Sequence, residues 1–316
     1  MQITTVVPAF KPKYLNELLT ALHHQTVKPA RIIISDDSPN GAFKAALLSE
    51  PLKSATQAMN IEVIDGPRQG AFANCRHLLK AWNGATPLIH FLLDDDVIYP
   101  LFYERHTMAH ATGKFDCTVS MRWTAIESGQ PVAQLPRPDV IAQHQHRILS
   151  LEPDFVFATT IPQCNNWFGE LSNAVFNHEV ADLLAESRME GISFEGLGDI
   201  GFFLSASLKK PLGYLNEPLS YFRTSPTQNT QQIASHDFKC GLMAWIALAL
   251  AGKRMQKVQP QQAAQCFAQI GAALQHRYPA DQQMAQFCEL ASAMARGDAH
   301  AEARFVDAWH AFIPAR

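Results

Sequence analysis

The sequence has no surplus of positive charge. Lys and Arg number 26 against 29 Asp and Glu in 316 residues, a formal net charge of −3 at pH 7. A nucleic-acid binder usually shows a basic excess or stripe, so no nucleic-acid partner is expected. Long apolar runs are lacking too. The longest candidate, residues 242–251, falls well short of the roughly 18 apolar residues a membrane-crossing helix needs, and Lys239 and Lys253 flank it. The opening MQITTVVPAF lacks the basic stretch of a signal peptide. The six cysteines (Cys75, Cys117, Cys164, Cys240, Cys266 and Cys288) contain no CxxC pair. They read as small buried hydrophobes in a reducing compartment, which excludes a zinc site or a disulfide framework. There is no GxxxxGK[ST] loop and no GxSxG elbow, and His178-Glu179 lacks the second histidine of HExxH. The His23-His24 and His144/His146 pairs read as solvated. The expected location is the cytoplasm, with a peripheral contact at the inner membrane face left open.

What is present is a core and a rhythm. With 47% hydrophobic residues the chain can bury a sizeable interior, and roughly 150 residues per domain allows one large domain or two modest ones. Ile3 to Val7 reads as a strand. Leu15, Leu18, Leu19 and Leu22 follow at helical spacing. Further strands are expected at Ile32 to Ile34, Ile61 to Ile64 and Leu88 to Leu93, with a helix over Phe72 to Trp82. This alternation predicts a mostly parallel sheet flanked by helices, an α/β fold of Rossmann-like type. The middle, from Cys117 to Tyr221, is less regular, with a strand candidate at Thr118 to Thr124. Beyond Arg223, Gln and Ala dominate, and helices are expected over 238–257, 261–277, 284–296 and 301–312.

Ligands of open α/β sheets bind beyond the carboxyl ends of the strands, where the oddest polar residues of this chain stand. Asp94-Asp95-Asp96 follows the fourth strand. Adjacent carboxylates repel unless something neutralises them, and Mg²⁺ or Mn²⁺ does so with one or two carboxylates plus substrate phosphates. The alternative is a solvated loop whose acids favour the following helix N-terminus. Asp36-Asp37-Ser38 is either a plain turn or a pair of acids accepting hydrogen bonds from a nucleobase or ribose. Gly196 to Gly201 satisfies GxGxxG, but late in the chain and with Asp199 inside it, against a dinucleotide fingerprint. Asp199 reads instead as a general base near a helix N-terminus, or as an ordinary N-cap. Glu195 is the runner-up for the base.

The order of these pieces resembles the family 2 glycosyltransferases of the GT-A fold over about the first 225 residues. Val6-Val7-Pro8-Ala9-Phe10 is similar to the family's opening strand and nucleotide turn. His24-Gln25-Thr26 with Ile32 to Ser38 resembles its "QT…E-I-I-V-V-D-D-G-S" stretch, and Gly70 to His77 its "G-x-S-A-N-R-N-x-G" helix start. FLLDDDVIYP resembles the DxD segment, and Gly198-Asp199 with Glu217-Pro218-Leu219-Ser220-Tyr221-Phe222-Arg223 the base motif and closing "EPL-x-Y-x-R".

The resemblance implies a metal-dependent, inverting glycosyltransferase that moves a sugar from a nucleoside diphosphate, UDP first, to an acceptor hydroxyl. A bacterial surface-glycan or protein-glycosylation setting is expected, with a glycan, lipid-linked or protein acceptor. The alternatives are a sugar nucleotidyltransferase and a non-catalytic partner of the same fold. Pro8, Ala9, Phe10, Asp36, Asp37, Arg68 and Asn74 would line the nucleotide pocket. Asp94 and Asp95 would reach the ribose side. Asp94, Asp95 and Asp96 would hold Mn²⁺ or Mg²⁺. Asp199 would be the base, with Trp167, Glu170 and Glu195 on the acceptor side. Three departures stand out: Cys75 in place of an arginine, Gly198 in place of a glutamate, and no histidine over 224–230. The expected domains are 1–225, with a nucleotide-sugar half of about 1–100 and an acceptor half of about 101–225, and a helical extension over 226–316. A homo-oligomer is left open.

Overall fold

The β-branched runs of the first half become strands because Val, Ile and Thr are stiff at χ1 and pack well on a pleated surface. The computed structural model describes residues 1–50, 52–225 and 232–313. Two compact units form. The first comprises Met1–Leu151, Phe168–Ala185 and Lys209–Thr224, and the second Glu152–Trp167, Glu186–Leu208 and Ser225–Arg316.

The strands in chain order are β1 (Ile3–Ala9), β2 (Arg31–Asp36), β3 (Ile61–Asp65), β4 (Leu88–Phe91), β5 (Val97–Ile98) and β6 (Cys117–Ala125). They continue with β7 (Pro131–Gln134), β8 (Ile148–Leu151), β9 (Ala174–Asn177), β10 (Arg188–Met189), β11 (Ile192–Ser193) and β12 (Leu212–Arg223). In the first unit the sheet order is β3-β2-β1-β4-β9-β6-β12-β5, with β7 on β6 and β8 on β12. β1 is parallel to β2 and β4, β2 to β3, and β6 to β12. β9 runs antiparallel between β4 and β6. It follows that β3, β2, β1, β4, β6 and β12 all point one way, so Asp36, Ala9, Phe91 and Arg223 end their strands on one edge of the sheet. β1 and β4 are wholly buried, as strands covered by helices on both faces must be.

The helix Leu15–His23 buries Leu15, Leu18, Leu19 and Leu22, the stripe its spacing predicts. Gln25 explains why a polar residue follows that helix. Its side chain is 2% exposed. Its amide donates to the carbonyls of Ala21 (3.0 Å) and Tyr99 (2.9 Å), and its carbonyl accepts from Tyr103 N (3.3 Å). Thr26 N also donates to Pro100 O. The first helix is thereby tied to the segment that follows β5, just beyond the acidic triplet.

The second unit is mainly helical: Pro153–Thr160, Gly198–Ser207, His236–Arg254, Pro260–Arg277, Gln282–Ala295 and Ala299–Phe312. The last four match the periodic segments but begin one or two residues earlier, because polar first turns precede the apolar repeat. Ser235, Asp281 and Asp298 cap three of them by accepting backbone N–H bonds. In His236–Arg254, every residue from Met243 to Gly252 is buried. Trp245, Ile246 and Leu250 therefore lie in the core of this unit, where Leu242 is only half-buried. Among the described residues no helix is long and apolar enough to cross a membrane. The C-terminal helices share their unit with 152–167 and 186–208, segments that the sequence reading keeps in the first domain. No composition shift marks those excursions, so nothing linear reveals them.

Replacing Gln25 by Ala leaves Tyr103 N without its partner and removes one of two donors to Tyr99 O, which keeps the Phe102 N–H. Urea unfolding should show a loss of about 1–3 kcal/mol, the range for stranding a buried polar group; a loss under about 0.5 kcal/mol would contradict this role.

Candidate active site

The loop after β4 carries Asp94, Asp95 and Asp96, all buried. Each carboxylate has its own means of compensation. Asp94 Oδ2 accepts from the backbone N–H groups of Phe10 and Lys11, both at 2.5 Å. These bonds join the end of β1 to the acidic loop. Asp95 Oδ2 accepts from Lys11 Nζ at 2.8 Å. Asp96 Oδ1 accepts from Arg223 N at 3.1 Å, whereas Asp96 Oδ2 is buried with no hydrogen-bond partner among the described residues.

Arg223 closes β12 beneath this loop and is 1% exposed. Its guanidinium donates to Asp95 O (2.9 Å), Glu127 O (2.6 Å), Glu17 Oε2 (2.5 Å) and Tyr221 Oη (3.1 Å), and lies 4.2 Å over the Tyr14 ring. The planar five-donor fork suits such a multi-partner site. Tyr221 Oη donates in turn to Glu17 Oε2 at 2.9 Å.

Burial holds the Asp94 carboxyl up at about 6, against the two backbone N–H donors that favour its charged form. Burial, with the Asp95 charge adding to it, pushes Asp96 well above the usual carboxylate range; Ser172, the Arg223 N–H and Arg122 oppose the shift. Burial also works against the Lys11 ammonium, yet its hydrogen bond to Asp95 and the charges of Asp95 and Asp94 raise it above its ordinary value.

Beside β1, the end of β2 divides its two acids between different tasks. Asp36 is 1% exposed. Its Oδ1 accepts from Ser38 N (2.8 Å) and Ser38 Oγ (2.5 Å), and its Oδ2 from Lys44 N (2.8 Å). This carboxylate shapes the turn, since both oxygens are engaged by the protein and shielded from solvent. Asp37 is half-buried and accepts from Arg68 N. A Cβ on Gly66 would lie 2.7 Å from Asp37 Oδ1, so only glycine allows this approach. Asn74 is buried. Its amide donates to Ser35 O (3.2 Å), and its Oδ1 has no partner among the described residues. Pro8 and Ala9 are buried, whereas Phe10 is 52% exposed at the sheet edge.

The sequence profile of glycosyl transferase family 2 matches residues 4–168. The chain belongs to this family. Among solved structures it is similar to S. aureus TarS 1–349 (TM-score 0.58, 15% identity, 100% of this chain and 93% of that chain). It is also similar to TarS 1–349 in complex with UDP (0.55, 14%, 99% and 90%). A third is the mannosyltransferase PcManGT from Pyrobaculum calidifontis in complex with GDP-Man and Mn²⁺ (0.52, 13%, 98% and 86%). Those likenesses show the GT-A fold, a mixed sheet flanked by helices with a helical C-terminal region. No curated protein matches the sequence.

In this family 2 glycosyltransferase the remaining expected residues are distributed as follows. Glu170 lies in the first unit, where its N–H donates to Asn173 Oδ1 (2.7 Å) and its carboxylate pairs with Arg122 at 3.4 Å. That is a loop-shaping role. Trp167, Glu195 and Asp199 belong to the second unit. Trp167 is 1% exposed and meets the Phe155 ring edge-on. Its side chain is buried, whereas the resemblance places Trp167 on the acceptor side. Asp199 stands in the first turn of Gly198–Ser207 and is half-buried, as is Glu195. The loop that presents them is held by backbone packing: Gly196 has φ +95, and a Cβ there would lie 2.5 Å from Gly241 N in the helix His236–Arg254. Only glycine fits there. Residues 226–231, within the stretch that lacks a histidine, lie outside the described residues.

Lys11 and the framework role of Arg223 escape a motif search. A lysine one residue past the β1 exit, where a small polar residue would suffice for a turn, was the available signal.

The Asp94 carboxyl sits above its ordinary value in the folded protein, so its stabilising contribution is complete below about pH 4 and is lost as pH rises through about 6. Asp94→Asn carries no such charge but keeps an acceptor oxygen. In metal-free buffer, the difference in unfolding free energy between the variant and wild type should shift in the variant's favour between pH 4 and pH 6, then stay level. An offset that is constant with pH would contradict it.

Proposed function

We propose that this glycosyltransferase moves a sugar from a nucleoside-diphosphate donor, a UDP-sugar, to an acceptor hydroxyl with inversion, aided by Mn²⁺ or Mg²⁺. The observation that carries the reading is the buried Asp96 Oδ2, a carboxylate oxygen with no hydrogen-bond partner among the described residues, beside two further carboxylates at the sheet's carboxyl edge. Leaving such an acceptor unmade is costly, and a hard cation is the partner its chemistry suits. Among the described residues, no three Asp, Glu, His or Cys side chains gather into a complete metal-binding group. The cation would be held by Asp95 and Asp96 and completed by the donor's phosphates. When bound, the cation supplies charge stabilisation to the departing diphosphate.

The chain's own groups do the rest. The exposed Phe10 ring offers a face to the nucleobase, and Asp37, fixed by Arg68 N, offers an acceptor to base or ribose. Asp199 takes the proton from the acceptor hydroxyl. Its backbone is held by the Gly196–Gly241 contact, so the carboxylate does not have to be ordered during reaction. The acceptor is a glycan, a lipid-linked sugar or a protein. All six cysteines are free thiols, which supports a reducing, cytoplasmic setting.

The test is a thermal-shift titration with UDP and UDP-sugars, with and without Mn²⁺, run on wild type, Asp95→Asn/Asp96→Asn and Asp199→Asn. Wild type should be stabilised by UDP more strongly with Mn²⁺ than without. The double variant should lose the Mn²⁺-dependent part. Asp199→Asn should bind like wild type but transfer sugar about 10²- to 10⁴-fold more slowly, the usual effect of removing a positioned base. Metal-dependent binding that survives in the double variant would overturn the metal assignment, and normal transfer by Asp199→Asn the mechanism.

A further inference from the structure

The acidic loop is not waiting bare for a cation. Asp94 is satisfied by two backbone N–H groups, Asp96 Oδ1 by Arg223 N, and Asp95 by the Lys11 ammonium. Besides the Arg122 charge, which also favours ionised Asp96, Lys11 and Arg223 both serve the cluster, and these two differ in how firmly they are held. Arg223 is 1% exposed and its guanidinium donates to four acceptors; moving it would strand several buried groups. The Lys11 side chain is 37% exposed and makes one hydrogen bond, to a carboxylate that is 10% exposed. Its backbone N–H is fixed on Asp94, so the residue cannot withdraw, but its four-carbon stem is free to swing at the rim. A lysine ammonium is a compact point charge on a flexible stem, suited to changing partners.

We infer that Lys11 is the resident counter-cation of the acidic loop and yields Asp95 to the divalent cation when the donor's diphosphate arrives. This rests on the metal reading above. In the free protein the ammonium neutralises Asp95 and competes with any metal. When a diphosphate enters, its negative charge gives the ammonium a second partner a short swing away, and the Asp95 carboxylate is released as the ammonium moves. Metal and donor therefore bind together, each favouring the other, and the loop is not left with an uncompensated buried charge at any stage. The energetic handle is Coulombic: a unit charge a few ångströms from the cation site weakens metal binding appreciably even at the effective dielectric of a protein surface.

The experiment measures free Mn²⁺ by its electron paramagnetic resonance signal in titrations of wild type, Lys11→Met, Lys11→Gln and Lys11→Arg, with and without UDP. Without UDP, both neutral variants should bind Mn²⁺ about five- to tenfold more tightly than wild type, whereas Lys11→Arg, which keeps the charge, should stay near wild type. With UDP the gap should close, because in wild type the ammonium has moved to the phosphates. Melting curves confirm that the variants are folded; two neutral side chains of different polarity guard against an accidental effect of either. Equal Mn²⁺ affinity of wild type and both neutral variants without UDP, alongside UDP-dependent Mn²⁺ binding in wild type, would overturn the role of Lys11 and leave the metal reading standing. No Mn²⁺ binding in any arm, with or without UDP, would overturn both.

Discussion

The Arg223 guanidinium is the interaction on which the acidic loop of the first unit depends. It sits at the carboxyl end of β12, almost wholly shielded from water, and donates to Asp95 O, Glu127 O, Glu17 and Tyr221 while stacking over Tyr14. A charge so deeply buried is tolerated only when it is fully hydrogen-bonded. Each acceptor comes from a different stretch of the first unit, so satisfying the guanidinium fixes all of them at once. The acidic loop is thus shaped before any ligand arrives. Preorganisation of this kind lowers the reorganisation needed when charge develops on a leaving group.

A second constraint operates in the other unit, on backbone and not on charge. Gly196 and Gly241 bring the Glu195–Asp199 loop and the helix His236–Arg254 into direct main-chain contact. Trp309 Nε1 donates to Ser193 O at 2.7 Å just before that loop. The C-terminal helices therefore hold the strand and loop that lead into Asp199, which gives the helical extension a part in placing the proposed base.

Much of this was legible in the sequence. The strand and helix alternation of the first hundred residues, the acids beyond the strand ends and the four C-terminal helices all follow from periodicity and turn chemistry, and the structure realises them to within three residues. Side-chain roles were less readable. Asp36 and Asp37 look equivalent in sequence, yet Asp36 is consumed by Ser38 and Lys44 N while Asp37 stays half-open; alternation along an extended chain sends neighbours to opposite sides. Trp167 is a core residue because an aromatic in a loop reads the same whether its ring turns inward or outward. His90 lies in the apolar run of β4 and is wholly buried between Tyr103 Oη and Ser172 O, and burial drives its pKa down to about 3. Its partners are 13 and 82 residues away, beyond the reach of local pattern.

The central claim, that Arg223 presets the acidic loop, is tested most directly by hydrogen–deuterium exchange of the amides over 93–98 in wild type and Arg223→Lys, both without ligand. Lysine keeps the charge but loses the fork. Loss of two or more hydrogen bonds of about 1 kcal/mol each should speed exchange in that segment by about tenfold or more, with the amides of β2 and β3 unchanged. Equal protection of 93–98 in the two proteins would show that the loop holds its shape without Arg223 and would contradict the account.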